Sequence, residues 1–317
     1  MLYRILYLPA RIALLFYCKS LRISNKDLLR QEGPLILAAN HPNSFLDAII
    51  LASLFRQPVY SLARGDAFIS PFVNRMLRSL HILPVYRISE GAETLGNNYS
   101  TFDRVETLLG QNKIVLIFSE GLCVNEWHLR PLKKGTARIA IRAWQNNIPL
   151  KILPVGLNYS SYNSFGKSVH INFGRIIEKK DLNGSTSGKA LNTFNDILSE
   201  ALSQHVYEIP DRSLSARKEI FEKPLTPIQK WVLALPAGIG YFLNCPVYFL
   251  AKAITNQTRP DHYDSLLVGI LFLTYPFYLL IITVIAWLLS GSLWSLLLPA
   301  VMPLTALALL HYRTSVK

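Results

Sequence analysis

Apolar and polar positions divide the chain into an alternating body and an almost continuously apolar end. Across the body, short apolar runs at residues 35–40, 58–63, 82–87, 113–119, 151–159 and 169–173 read as strands. Residues 45–55, 71–80, 101–110, 136–145 and 191–207 between and after them read as helices. This alternation predicts an α/β fold, a mixed sheet covered by helices on both faces, whose strand ends deliver residues to a common crevice.

The end of the chain obeys another rule. From residue 265 to 312 there is no Asp, Glu, Lys or Arg. Two apolar runs, 266–289 and 293–310, are joined by the polar break Ser290-Gly291-Ser292. About 20 apolar residues cross a bilayer as a helix, so the pattern predicts a transmembrane hairpin. Lys252 and Arg259 precede the first run, and Arg313 and Lys317 come after the second. That distribution places both ends, and the body with them, on the cytoplasmic side.

At the N-terminus, Arg4, Arg11 and Arg22 fall near one line of a helix, with Lys19 close by and Leu, Ile and Phe opposite. This predicts a helix lying in the membrane interface, kinked near Pro9. Residues 231–251 are apolar but interrupted by Pro236, Gly238, Gly240 and Pro246, and read as broken helices at the membrane surface. The expected organisation is therefore an interfacial helix (1–26), a catalytic domain (27–210), a linker with surface helices (211–264), and a transmembrane hairpin with a basic tail (265–317).

Composition narrows the partners. The 317 residues are 50% hydrophobic and 17% charged, which excludes a disordered chain. The net charge of +13 accompanies apolar anchors and no nucleic-acid motif, so the expected partner is an anionic lipid membrane and not a nucleic acid. Cys18, Cys123 and Cys245 are too far apart for a metal pair or disulfide framework, and the histidines lack metal-ligand spacing.

The candidate chemistry begins where the first strand ends, in Asn40-His41-Pro42-Asn43-Ser44-Phe45-Leu46-Asp47. A histidine at a strand end with an aspartate on the next helix suits a base and its orienter. Ser44-x-x-Asp47 equally suits a helix-capping box, and these residues alone leave both readings open. No Gly-x-Ser-x-Gly nucleophile elbow is present.

Four blocks, in order over residues 35–173, resemble the glycerolipid acyltransferase family, whose best-known members acylate lysophosphatidic acid. They are Asn40-His41 with Asp47, then Arg64-Gly65-Asp66-Ala67-Phe68 through Ile82-Leu83-Pro84-Val85-Tyr86-Arg87. Phe118-Ser119-Glu120-Gly121-Leu122-Cys123 with Lys133-Lys134-Gly135 is the third, and Ile152-Leu153-Pro154-Val155 is the last. The resemblance implies a membrane-bound transfer of a fatty acyl group from a thioester, acyl-CoA or acyl carrier protein, to a lysophospholipid hydroxyl, without cofactor or metal. It implies His41 as general base and Asp47 as its orienter. It also implies Asn40, Arg64, Arg87, Glu120, Gly121, Lys133 and Lys134 at the substrate, with Arg87 the main phosphate ligand. Related acceptors (glycerol 3-phosphate, another lysophospholipid, an amino-acid lipid) and a non-enzymatic membrane scaffold are the alternatives. Two departures stand out. Five residues separate His41 from Asp47 where four are usual, and Leu122-Cys123 replaces the usual Thr-Arg.

Overall fold

A computed structural model describes residues 2–86, 96–182, 187–211, 213–257 and 262–313. Arg87, Arg259 and Lys317, singled out above, lie outside the described residues. The order is α1 (Leu2–Tyr17), β1 (Cys18–Ile23), β2 (Leu35–Ala39), α2 (Ser44–Leu54), β3 (Val59–Arg64), α3 (Pro71–Ser79), β4 (Ile82–Val85), α4 (Gly96–Gly110), β5 (Ile114–Phe118), α5 (Gly135–Gln145), β6 (Lys151–Tyr159), β7 (Lys167–Phe173) and α6 (Ser187–Ser203). Next come α7 (Leu214–Phe221), α8 (Pro227–Thr255), α9 (Tyr263–Ser290) and α10 (Leu298–Tyr312).

The strands form one mixed sheet in the order β1-β7-β6-β2-β5-β3-β4, parallel except for the antiparallel β6–β7 pair. Strand β2 is central and fully buried. Its side chains alternate between faces, as strand geometry requires. Leu35, Leu37 and Ala39 pack with α1 and α2, whereas Ile36 and Ala38 pack with α4, α5 and α6. Ala39 sits level with Phe118 of β5 and Val155 of β6, so the parallel strands end together and aim the residues beyond them at one edge.

The N-terminal expectation needs correction. The helix stops at Tyr17, and Cys18–Ile23 instead pairs in parallel with β7 as the edge strand. Arg22 therefore leaves the helical stripe. Pairing covers the edge of β7, and this tertiary gain overrides the helical spacing. The outer face of α1 carries Ile5, Leu8, Ile12 and Leu15 uncovered, with Arg4 and Arg11 exposed beside them, not opposite. Leu14 and Tyr17 face the core.

Residues 231–251 also differ from expectation. They belong to one continuous helix, α8, despite Pro236 and Pro246. Proline is tolerated in apolar helices when neighbours satisfy the carbonyl it frees. Here the Cys245 thiol reaches Phe242 O at 3.4 Å, the carbonyl left without its usual partner by Pro246. Gly240 lies against the backbone of Thr305 on α10, a close approach that only a small residue allows. Tyr275 Oη donates to Asn244 Oδ1 at 2.7 Å and Tyr278 Oη to Leu243 O at 2.7 Å, tying α9 to α8. Three segments, Pro227–Thr255, Tyr263–Ser290 and Leu293–Tyr312, are thus long and apolar enough to cross a membrane.

Both ends of the α9–α10 hairpin rest on the sheet domain. Asp264 pairs with Lys167, Leu310 packs over Gly166, and Lys19 Nζ donates to Arg313 O. At 1.5 Å per residue, α9 carries the Ser290–Ser292 turn about 40 Å away from Asp264. The expected linker is partly folded too. Helix α7 docks on the domain through Phe221, 2% exposed, and through Arg217, whose guanidinium lies 4.4 Å from the centre of the Trp127 ring.

Candidate active site

His41 leaves the end of β2, and its ring lies flat on Phe118 of β5, with centroids 3.8 Å apart and planes within 10°. Its Nδ1 meets Asp47 Oδ2 at 2.9 Å. Asp47 is wholly buried and fully engaged. Oδ2 also accepts the Asn43 N–H at 2.8 Å, and Oδ1 accepts the Tyr159 hydroxyl at 2.6 Å. Burial, reinforced by the neighbouring carboxylate, raises the Tyr159 phenol well above its ordinary pKa and keeps it a donor. With Nδ1 committed to Asp47, Nε2 is the ring nitrogen left to exchange a proton.

The extra residue between His41 and Asp47 is absorbed before the helix. Asn43 is the N-cap of α2 and Ser44 takes a positive φ of 51°. Neither side chain forms the helix cap, so the capping-box reading of Ser44 is not realised. The chain makes room in Pro42–Ser44, and Asp47 still points at His41 from the first turn.

Asn40 is 2% exposed and locked onto β6 by two bonds, Nδ2 to Leu157 O at 3.0 Å and Oδ1 from Leu157 N at 2.7 Å. Glu120, 4% exposed, accepts the His41 N–H at 2.7 Å through Oε2 and the Arg130 N–H at 2.9 Å through Oε1. Burial raises its carboxyl pKa while the two amides oppose that rise. Both side chains therefore fasten the His41 loop to its neighbours. Gly121 has φ +66°, a conformation that glycine adopts without strain, and it packs against the Lys133 side chain. The Lys133 backbone N–H returns to Ser119 O at 2.7 Å. The Lys133 and Lys134 side chains are exposed beside that turn. Arg64 ends β3 on the same edge of the sheet and pairs with Asp66.

Sequence reasoning missed Tyr159, Asn43 and Phe118. Tyr159 ends β6 and could have been found by considering polar residues at every strand end. Asn43 acts through its backbone, which carries no side-chain signal. Cys123, where arginine is usual, receives the Ser44 N–H on its sulfur at 3.0 Å. That position supports the loop here.

A histidine paired with a buried aspartate thus stands at the carboxyl edge of a mixed α/β sheet, on a chain with three helices long and apolar enough to cross a membrane. Residues 20–158 match the family model described as Acyltransferase. This segment is similar to acyltransferase domains, the class to which the four blocks pointed. Among solved structures, the crystal structure of the 1-acyl-sn-glycerophosphate (LPA) acyltransferase, PlsC, from Thermotoga maritima is similar, at 15% identity and a TM-score of 0.44. The match covers 62% of this chain and 74% of that one. No curated protein matches the sequence.

Proposed function

We propose that the protein moves a fatty acyl group from a thioester, acyl-CoA or acyl carrier protein, to the free hydroxyl of lysophosphatidic acid. The observation that carries this reading is the His41 Nδ1–Asp47 Oδ2 bond of 2.9 Å, with Asp47 held by Tyr159 and Asn43. In the reaction, His41 Nε2 takes the acceptor's hydroxyl proton as that oxygen attacks the thioester carbonyl. Asp47 stabilises the imidazolium. The C–S bond breaks, and the imidazolium proton passes to the leaving thiolate. The thioester supplies the leaving group, so no enzyme nucleophile is required.

The acceptor's phosphate falls to Arg87, Arg64 and the Lys133–Lys134 pair, because Cys123 occupies the position of the usual arginine and supports the loop. The sheet domain faces the cytoplasm, resting on anionic lipid through Arg4 and Arg11 with the apolar stripe of α1 inserted. The α9–α10 hairpin crosses and returns.

The decisive experiment offers the purified full chain labelled acyl-CoA with lysophosphatidic acid, glycerol 3-phosphate, lysophosphatidylcholine and an N-acyl amino acid in parallel. Product from lysophosphatidic acid is expected, and Arg87→Ala should lower that rate about 10–150-fold, the worth of one charge-assisted bond. Preference for the amino-acid lipid, indifferent to Arg87→Ala, would keep acyl transfer and remove the phosphate assignment. For orientation, an impermeant thiol reagent applied to intact cells should label Gly291→Cys in the hairpin turn and spare Lys179→Cys on the sheet domain. The reverse pattern refutes this topology.

A further inference from the structure

The start of α9 does more than anchor the chain. Asp264 in its first turn is 1% exposed and ion-paired with the fully buried Lys167 of β7. The same oxygen, Oδ2, accepts Tyr17 Oη at 3.0 Å and Asn43 Nδ2 at 3.0 Å. Asn43 is also the residue whose backbone N–H holds Asp47. Two neighbours of Asp264 reach the same loop. His262 Nδ1 lies 2.8 Å from Ser44 Oγ, and Ser265 Oγ lies 3.3 Å from Leu46 N and 3.5 Å from Asn43 O. One short segment of the membrane hairpin thus grips residues 43–46, on the back of the His41–Asp47 pair.

Stability alone is a poor reason for such a cluster. Desolvating two charges offsets most of their attraction, and apolar substitutes of similar volume are often as stable or more so. A buried ion pair is better at securing one geometry among several.

We propose that Asp264 is a positioning residue for the acyl transfer: through Asn43 it holds the catalytic loop in the register that keeps Asp47 on His41. The inference rests on the acyltransfer reading given above. It makes the hairpin a working part of the active site, so that undocking α9 from the sheet switches the loop out of register.

Two double variants of the full chain in lipid vesicles separate positioning from stability. Asp264→Asn with Lys167→Met removes both charges and keeps an acceptor for Asn43. Asp264→Leu with Lys167→Met removes the charges and the acceptor. The first should keep kcat near wild type. The second should lose about 10–100-fold in kcat, the scale of an ångström-sized misplacement, with KM for donor and acceptor nearly unchanged. Asn43→Ala should repeat the loss if the leucine variant folds poorly. Amide hydrogen exchange needs no substrate. Residues 40–47 should exchange faster in the leucine and Asn43→Ala proteins while 114–118 in β5 keep their protection. Equal kcat in the two doubles with a wild-type rate in Asn43→Ala overturns the proposal. So does faster exchange spread evenly to β5. If the wild-type protein transfers no acyl group but exchange divides as described, the acyltransfer reading falls and the loop clamp stands.

Discussion

Two parts of the carboxyl edge of the sheet are built differently. On one side, the Asp47 carboxylate takes three hydrogen bonds, the His41 ring lies on Phe118, and Asn40 and Glu120 fasten the loop to β6 and to the 120–130 turn. On the other side, Lys133 and Lys134 stand in solvent, and Arg64 pairs with an exposed aspartate. Buried polar groups must be satisfied, and satisfaction makes them rigid. Exposed cations gain little from any one contact and keep their rotamers. On the proposed reading, the proton-transfer chemistry is fixed in the fold, while the groups that would meet a headgroup can adapt. On the same reading, acceptor choice can drift in such a site without loss of the proposed reaction.

The largest effect should come from the rigid side. His41→Ala removes the proposed base and should lower thioester-dependent acylation about 10²–10⁴-fold, with membrane association and the fold retained. Wild-type turnover in that variant, measured by product formation from labelled acyl-CoA, breaks the comparison outright.

The adaptable side should respond more gently. Lys133→Ala and Lys134→Ala should each weaken a phosphate-bearing acceptor by no more than about tenfold, mostly in KM, and the difference from wild type should shrink as salt rises. A kcat loss as deep as that of His41→Ala would show that these lysines belong to the rigid machinery.

The smallest effect contrasts two histidines. His41 has its carboxylate partner, whereas burial of His170, with the Arg22 charge adding to it, pushes the pKa of that imidazole down to about 4. Folded His170 thus refuses a proton that the unfolded chain accepts below its ordinary pKa of 6.5. Its contribution to stability is complete above 6.5 and is lost progressively as the pH falls toward about 4. Denaturant midpoints recorded across that window should fall with acid in the wild type and fall less steeply in His170→Gln. Parallel slopes would remove His170 as the cause.

Much of the molecule is legible in its sequence. The strand runs lie within a residue or two of the observed strands, because alternating burial writes itself into sequence. His41 with Asp47, and the turn through Glu120 and Gly121, are legible because proton transfer and tight turns admit few residue types. The N-terminal strand is not. Cys18–Ile23 reads as a continuation of the helix, and only the open edge of β7 decides otherwise. Pro246 signals a break that Cys245 and the neighbouring helices repair.

The sequence by itself determined the alternating α/β body, the apolar segments and the candidate base, since each depends on local pattern or on the chemistry of single residues. Tertiary structure alone decided that five intervening residues still bring Asp47 to His41, because the loop and not the helix absorbs the extra one. It also decided that Glu120 and Asn40 bind backbone, and that Asp264 reaches Asn43 across 221 positions of sequence. Such contacts join residues remote in the chain, and no local periodicity carries a trace of a partner that only folding brings near.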